Sequence, residues 1–424
     1  MSAESIFTWG APPLKFGSGA IREVGFDLAQ HGARRAAIVT DAGVAALGYP
    51  AQVAEALAAA GIASELYDGV HVEPTDASIA AAAQWARDAG PFDGFVAIAG
   101  GSAIDTAKAM NLLADGDGEL LDYLNPPIGA GRAPAGPLRP LIAIPTTAGT
   151  GSESTAMCVL DVLDLKVKTG ISHWRLRPTM AVVDPDLTLT MTPGVTAASG
   201  MDILCHALES YTAKAFDAFD AKTAEQRVTY CGANPVSDIW AEQSLRMLSI
   251  ALRRAVRDGG SDVEARTTMM LAATYAGMGF GNAGVHIPHA NAYPIAGRVR
   301  DYRPEGYDAH EPMVPHGQAV SLTAPAAFRF TFSGSPERHL RAAALLAPDA
   351  PAEDDPAEQL PSAVTALMRD IGIPSGIAAV GYGESDIDAL VEGSLKQQRL
   401  LSTAPRPVGG PDLAAIFRAS LANW

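Results

Sequence analysis

The sequence predicts an α/β domain with a parallel sheet over residues 1–192, followed by an all-α domain over residues 193–424. Three observations predict it. The length of 424 residues exceeds what one core usually holds, since a domain takes about 100–200 residues. Up to about residue 190, short β-branched runs alternate with Ala-rich helical stretches, as βαβ units require. Beyond Pro193 the strand signals fade and helical periodicity takes over.

In the first half, Ala36–Asp41, Gly94–Ala99, Pro140–Thr147 and Met180–Pro185 are apolar runs bounded by Gly, Pro or Asp, which predicts buried strands. Between them, Pro50–Ala60, Ala77–Ala89 and Ser102–Ala114 read as helices. In the second half, helices are predicted over Val195–Ala213, Ser237–Val256, Val263–Ala276, Pro336–Leu346, Pro361–Ile371, Ser385–Leu395 and Asp412–Leu421. Pro126–Pro140 and Ala347–Asp355 read as surface loops, and Phe216–Pro235 as an irregular connection.

Composition narrows the function. Apolar residues make up 48% and charged residues 18%, enough for a large core. A net charge of −16 without a basic block argues against nucleic acid or an anionic membrane as partner. There is no apolar run of about 18 residues and no leader-like N-terminus. The three scattered cysteines form no disulfide framework or zinc ribbon. The expectation is a soluble, cytoplasmic protein. Less evenly spread are the nine histidines, five of which lie between positions 206 and 316.

Asp202 and His206 stand four apart on a predicted helix, one turn apart on one face, as a metal clasp requires. Downstream come His286 and His289 in VHIPHANAYP, and His316 in VPHG. Asp202, His206, one of His286 or His289, and His316 make a carboxylate-and-three-imidazole set suited to Fe²⁺ or Zn²⁺. Such pairs also occur as caps or surface pairs.

Two turns in the α/β half suit a nucleotide. AIAGGSAIDTAK runs from a strand through Gly100 and Gly101 into a helix, where backbone N–H groups can face a pyrophosphate. PTTAGTGSE is a second small, hydroxyl-rich strand end. Together they predict a Rossmann-like nucleotide site at the carboxyl edge of the sheet. Asp41 ends the first predicted strand, where a carboxylate favours NAD over NADP; an ordinary turn former also fits there. Phe16-Gly-Ser-Gly-Ala20 reads as a plain turn, with no strong strand before it and no third glycine.

The ordered series GGSAIDTAK, IPTTAGTGSE, GMDILCHALESY, HIPHANAYPIAG and VPHG resembles the iron-dependent (group III) alcohol dehydrogenases over nearly the whole chain. Within that family, Tyr230–Trp240, Tyr275–Val285 and Ala404–Pro407 are most similar to the hydroxyacid-oxoacid transhydrogenase branch. The resemblance implies a dehydroquinate synthase-like fold. It assigns Asp202, His206, His289 and His316 as metal ligands, and Gly100, Gly101 and Ser102 as the pyrophosphate turn. Asp105 lies in the same motif; Thr146, Thr147 and Lys168 match residues lining the nucleotide, and Asp41 the NAD/NADP discriminator.

The chain departs from the family at three places. Ala99 replaces the first of three glycines, Ala290 and Asn291 stand at the expected substrate wall, and Tyr293 occupies the place of a second histidine. Tyr293 is a candidate proton relay or pocket-wall residue. The implied cofactors are NAD and Fe²⁺, with Zn²⁺ an alternative, and the implied assembly is a homo-oligomer, a dimer or larger. The implied reaction oxidises 4-hydroxybutyrate to succinic semialdehyde and reduces 2-oxoglutarate to 2-hydroxyglutarate. An ordinary NAD(P)-dependent alcohol dehydrogenase or aldehyde reductase, and a non-catalytic metal- or nucleotide-binding protein, are the competing readings. Acid substrates need cations, for which Arg227, Arg298 and Arg300 are candidates; His286 and His310 are neighbours able to tune the pocket.

Overall fold

The computed structural model describes residues 2–424 except 115, 117, 166, 228 and 308–310, so His310 lies outside the described residues. By its contacts the chain divides into two compact units, Gly10–Thr188 and Leu189–Trp424, the latter joined by Met1–Trp9. The N-terminal residues belong there because Glu4 donates its N–H to the Phe219 carbonyl at 2.9 Å, and Trp9 stacks on Trp240 at 6.2 Å.

The first unit holds β1 (Leu14–Phe16), β2 (Arg35–Val39), β3 (Ala63–Tyr67), β4 (Gly94–Ala99), β5 (Leu141–Pro145) and β8 (Met180–Val183) in one sheet. Their order is β1-β8-β5-β4-β2-β3, and every pairing is parallel. Both faces are covered, as apolar strands without alternation demand. Ile38, Val96, Ile98 and Ile142 pack with Val24, Leu28, Val53 and Leu57 on one side. Val39, Phe95 and Ala97 pack with Ala82, Ala86, Ile104 and Met110 on the other. The last pair belongs to α1 (Gly101–Ala114).

Beside the sheet, β6 (Met157–Val162) and β7 (Val167–Ser172) form an antiparallel hairpin. That hairpin, β1 and β3 extend what the sequence predicts. In particular, Phe16-Gly-Ser-Gly-Ala20 does follow a strand, because β1 adds to the edge of the sheet alongside β8.

Strands β2 and β4 are neighbours, and the connection leaving β2 runs to β3 on one side while the connection leaving β4 runs to β5 on the other. Such a switch point opens a crevice beyond the strand ends. Asp41 lies just past β2, Gly100 just past β4, and Thr146 just past β5.

The second unit is largely helical, with isolated backbone bridges in place of strands among the described residues. Its centre is α2 (Pro193–Thr212), capped by the Thr192 hydroxyl and started by Pro193. Nearly every residue of α2 from Thr196 onward is buried, so its polar side chains must find partners inside the protein. Around it pack α3 (Pro235–Asp258), α4 (Val263–Ala283) and α6 (His316–Leu322). Between α4 and α6 in the chain comes α5 (Ile287–Gly297). No described helix is long and apolar enough to cross a membrane.

Candidate functional site

Asp202 and His206 project from one face of α2, as their spacing predicts, and are buried. His289 enters from the first turn of α5, and His316 begins α6. Three imidazole Nε2 atoms surround one carboxylate oxygen. From Asp202 Oδ1, His289 lies at 3.5 Å, His206 at 3.7 Å and His316 at 3.8 Å. Asp202, His206 and His289 offer ligand atoms that all lie within 4.8 Å of one another.

The fit to a cation rests on two physical points. Ligands about 2.1 Å from a tetrahedral ion stand about 3.4 Å apart, close to the separations seen. In addition, Asp202 Oδ1 and His289 Nε2 are buried and lack a hydrogen-bond partner, a costly state unless a further group satisfies them. Of the two histidines the spacing left open, His289 faces Asp202, whereas His286 turns to Thr212, with Nε2 at 3.1 Å from the hydroxyl.

The electrostatics follow from burial among unlike charges. Burial pushes the Asp202 carboxyl up, but the imidazoles of His206, His316 and His289 outweigh it and hold it well below the carboxylate range. Burial lowers His206, so its ring is neutral and able to offer a lone pair. Burial also acts downward on His289, but the carboxylates of Glu209 and Asp202 reverse the sign and raise it. The Phe280 ring stacks on His206 at 3.8 Å and fixes its plane.

Two residues outside the predicted set belong to this neighbourhood. Glu209 is fully buried, with Oε1 at 2.6 Å from His289 Nδ1. The signal was present in the sequence: Glu209 follows Asp202 by seven residues, two turns along the same helix face. Tyr307 has its hydroxyl raised above the ordinary range, first by burial and then by the charge of Asp202. No motif marks it.

Tyr293, one turn beyond His289 on α5, is half-buried and stacks on His316 with ring centroids 6.2 Å apart. Ala290 and Asn291, expected at a substrate wall, are fully buried instead. The Asn291 amide donates to Thr323 Oγ1 at 3.3 Å and accepts from Ser394 Oγ at 2.9 Å, so it ties α5 to its neighbours. Among the candidate arginines, Arg227 binds Glu4 Oε1 at 3.2 Å and Arg300 pairs with Asp386. Arg298 is exposed at the end of α5.

In the first unit the predicted cofactor residues divide by what they touch. Gly101 starts α1 where a Cβ would come within 2.7 Å of Thr150 Oγ1, so the turn requires glycine. Ser102 Oγ accepts the Glu73 N–H at 3.2 Å, and Thr146 donates its N–H to the Ala99 carbonyl at 3.0 Å. Gly100, Thr147 and Asp41 stand at the same carboxyl edge; Asp41 Oδ1 also caps the following helix through the Val44 N–H at 2.8 Å.

Asp105 turns inward: Oδ1 accepts from Ser152 at 2.5 Å and Oδ2 from the Val159 N–H at 2.9 Å. Lys168 sits on the hairpin with its ammonium 2.6 Å from Glu73 and 2.7 Å from Asp161. Burial opposes its charge, but the two carboxylates raise it above the ordinary lysine value.

Comparison with known proteins agrees with this geometry. The profile of iron-containing alcohol dehydrogenase matches residues 12–185, and that of the Fe-containing alcohol dehydrogenase family C-terminal region matches residues 196–421. The chain is 45% identical over 420 residues to the mitochondrial hydroxyacid-oxoacid transhydrogenase of Xenopus laevis, covering 98% of this chain and 90% of that one. Among solved structures, it superposes on a 1,3-propanediol oxidoreductase with TM-score 0.85 and 33% identity, covering 98% of this chain and 100% of that one. A sulfoacetaldehyde reductase from Bifidobacterium kashiwanohense, solved with NAD+, gives TM-score 0.80 and 26% identity over 98% of each chain.

Proposed function

The chain belongs to the iron-containing alcohol dehydrogenase family, and on that premise we propose that it is a hydroxyacid-oxoacid transhydrogenase that uses NAD and a divalent metal. The net reaction moves a hydride and a proton from 4-hydroxybutyrate to 2-oxoglutarate, giving succinic semialdehyde and 2-hydroxyglutarate. The observation that carries the metal requirement is the convergence of three imidazoles on the orphaned oxygen of Asp202. The likeness to relatives bearing the transhydrogenase name carries the choice of reaction.

The residues of the helical unit then have separate tasks. Asp202, His206, His289 and His316 would hold Fe²⁺, or Zn²⁺ where supply favours it, and the Lewis acidity of such an ion polarises the substrate oxygen. Phe280 keeps His206 from rotating. Tyr293, beside His316, is the group we assign to move a proton to or from the substrate oxygen.

In the α/β unit, Gly100, Gly101 and Ser102 would hold the NAD pyrophosphate at the start of α1, with Thr146 and Thr147 on the adjacent strand end. Asp41 would accept from the ribose hydroxyls and repel a 2′-phosphate. Asp105 and Lys168 shape that site through Ser152 and Glu73, since their own charges are engaged by protein groups. The domains 1–192 and 193–424 thus take cofactor and metal respectively, in a dehydroquinate synthase-like fold. A homo-oligomer of cytoplasmic location without nucleic-acid partners completes the proposal.

The test is a panel of hydroxy acids and alcohols assayed with iron-reconstituted protein and NAD, with and without oxo acids. Activity confined to neutral alcohols would show an ordinary alcohol dehydrogenase instead. No turnover by metal-loaded protein would leave a binding protein.

A further inference from the structure

Glu209 is a fully buried carboxylate on the same helix face as Asp202, and the roles assigned so far leave it unexplained. Its two oxygens do different things. Oε1 lies 2.6 Å from His289 Nδ1. Oε2 accepts the backbone N–H of His286 at 2.6 Å and that of His289 at 3.4 Å. Those N–H groups open α5, where unpaired donors and the helix dipole favour a negative charge. One carboxylate therefore grips both the backbone and the ring of His289.

The short contact to Oε1 requires a proton on Nδ1, because a carboxylate oxygen only accepts. In the neutral ring that a cation binds, Nε2 then carries the lone pair, and Nε2 is the atom 3.5 Å from Asp202 Oδ1. We propose that Glu209 is the positioning residue of the metal centre: it holds His289 in the Nδ1–H tautomer with Nε2 turned to a divalent cation. This rests on the metal reading above. A carboxylate that merely capped α5 would support folding but leave the ring free to choose its tautomer.

Zinc affinity, measured by competition with a chromophoric chelator, separates the two roles. Wild type is compared with Glu209→Gln, Glu209→Asp and Ser244→Ala. Ser244 Oγ bonds the Ala272 carbonyl at 2.9 Å between α3 and α4, so its loss weakens packing without touching His289. Glutamine must set its amide N–H₂ against either Nδ1–H or the backbone N–H groups, donor against donor. The Gln variant should lose about 10–100-fold in zinc affinity, the Asp variant less, and Ser244→Ala no more than about 2-fold.

A measurement on unmutated protein covers the case of a Gln variant that does not fold. Nitrogen-15 histidine spectra of the zinc-loaded protein should show His289 protonated at Nδ1. A Gln variant that binds zinc as wild type does, or an unprotonated Nδ1, would overturn the role of Glu209 alone. Wild type that takes up no zinc would overturn the metal reading together with it.

Discussion

Gly317→Ala is the substitution whose effect is most tightly bound to the geometry. Gly317 follows His316 in the first turn of α6, which packs against α2. A Cβ built there lies 2.0 Å from the Ala198 carbonyl oxygen and 2.7 Å from Asp202 Cβ. Ordinary contact begins at 3.4 Å, so the helices must separate by about 1.4 Å at this point. Backbone supplies the clash, and no rotamer relieves it.

Overpacking of this kind costs about 1–3 kcal/mol. Moving His316 by more than 1 Å also exceeds the roughly 0.2 Å tolerance of a metal–ligand distance. Urea unfolding of metal-free protein should show the stability loss, and zinc competition a drop of at least ~10-fold in affinity. Gly297→Ala is the control: it ends α5, nothing lies within 4 Å of its Cβ, and stability should change by less than about 1 kcal/mol. Gly317→Ala with wild-type stability and wild-type zinc affinity would refute the close approach of α6 to α2.

Two further outcomes are expected. Burial, aided by the charge of Arg338 and opposed by a hydrogen bond to the Ser335 carbonyl, pushes His339 down to about 4 from 6.5. The unfolded chain therefore takes up the proton first, so stability falls as pH drops through 6.5 toward 4, by about 2.5 kcal/mol at pH 4.5. Urea midpoints at pH 7 and 4.5 in wild type and His339→Gln measure that share, and equal slopes would show that His339 takes none of it. Asp41→Ser keeps a hydroxyl able to cap the Val44 N–H but removes the charge. The ratio of NADP to NAD use should then rise by at least ~10-fold; an unchanged ratio would remove Asp41 from cofactor choice.

Residues whose chemistry depends on local spacing were legible in the sequence, and those that depend on tertiary contact were not. The strands β4 and β5 are apolar runs with both faces buried, so composition alone marks them. By contrast, β3 is an exposed edge strand of sequence ASELY, with no apolar face to betray it. The β6–β7 hairpin carries Asp161 and Lys168 in its ladder, which weakens the strand signal.

The Asp202–His206 pair follows from helix geometry, but the α5 that carries His289 contains Pro288 and Pro294 and is buried almost all round, so no period announces it. Proline is tolerated in the first turn of α5, where its missing N–H costs nothing. Glu209 sat in plain view at the right interval, but its task is visible only once α5 delivers His289 to it. Ala290 and Asn291 show the converse: a place beside a ligand in sequence turned out to be a place in the core.

The most direct test of the account follows a hydride between two acids. Purified, iron-reconstituted protein would be given 4-hydroxybutyrate carrying deuterium at C4, together with 2-oxoglutarate and no added NAD. With NAD kept bound through purification and through the catalytic cycle, 2-hydroxyglutarate should be deuterated at C2 and formed in step with succinic semialdehyde, while free NADH stays undetectable. Turnover only when NAD is supplied, with one NADH released per hydroxy acid and no deuterium in 2-hydroxyglutarate, would contradict it.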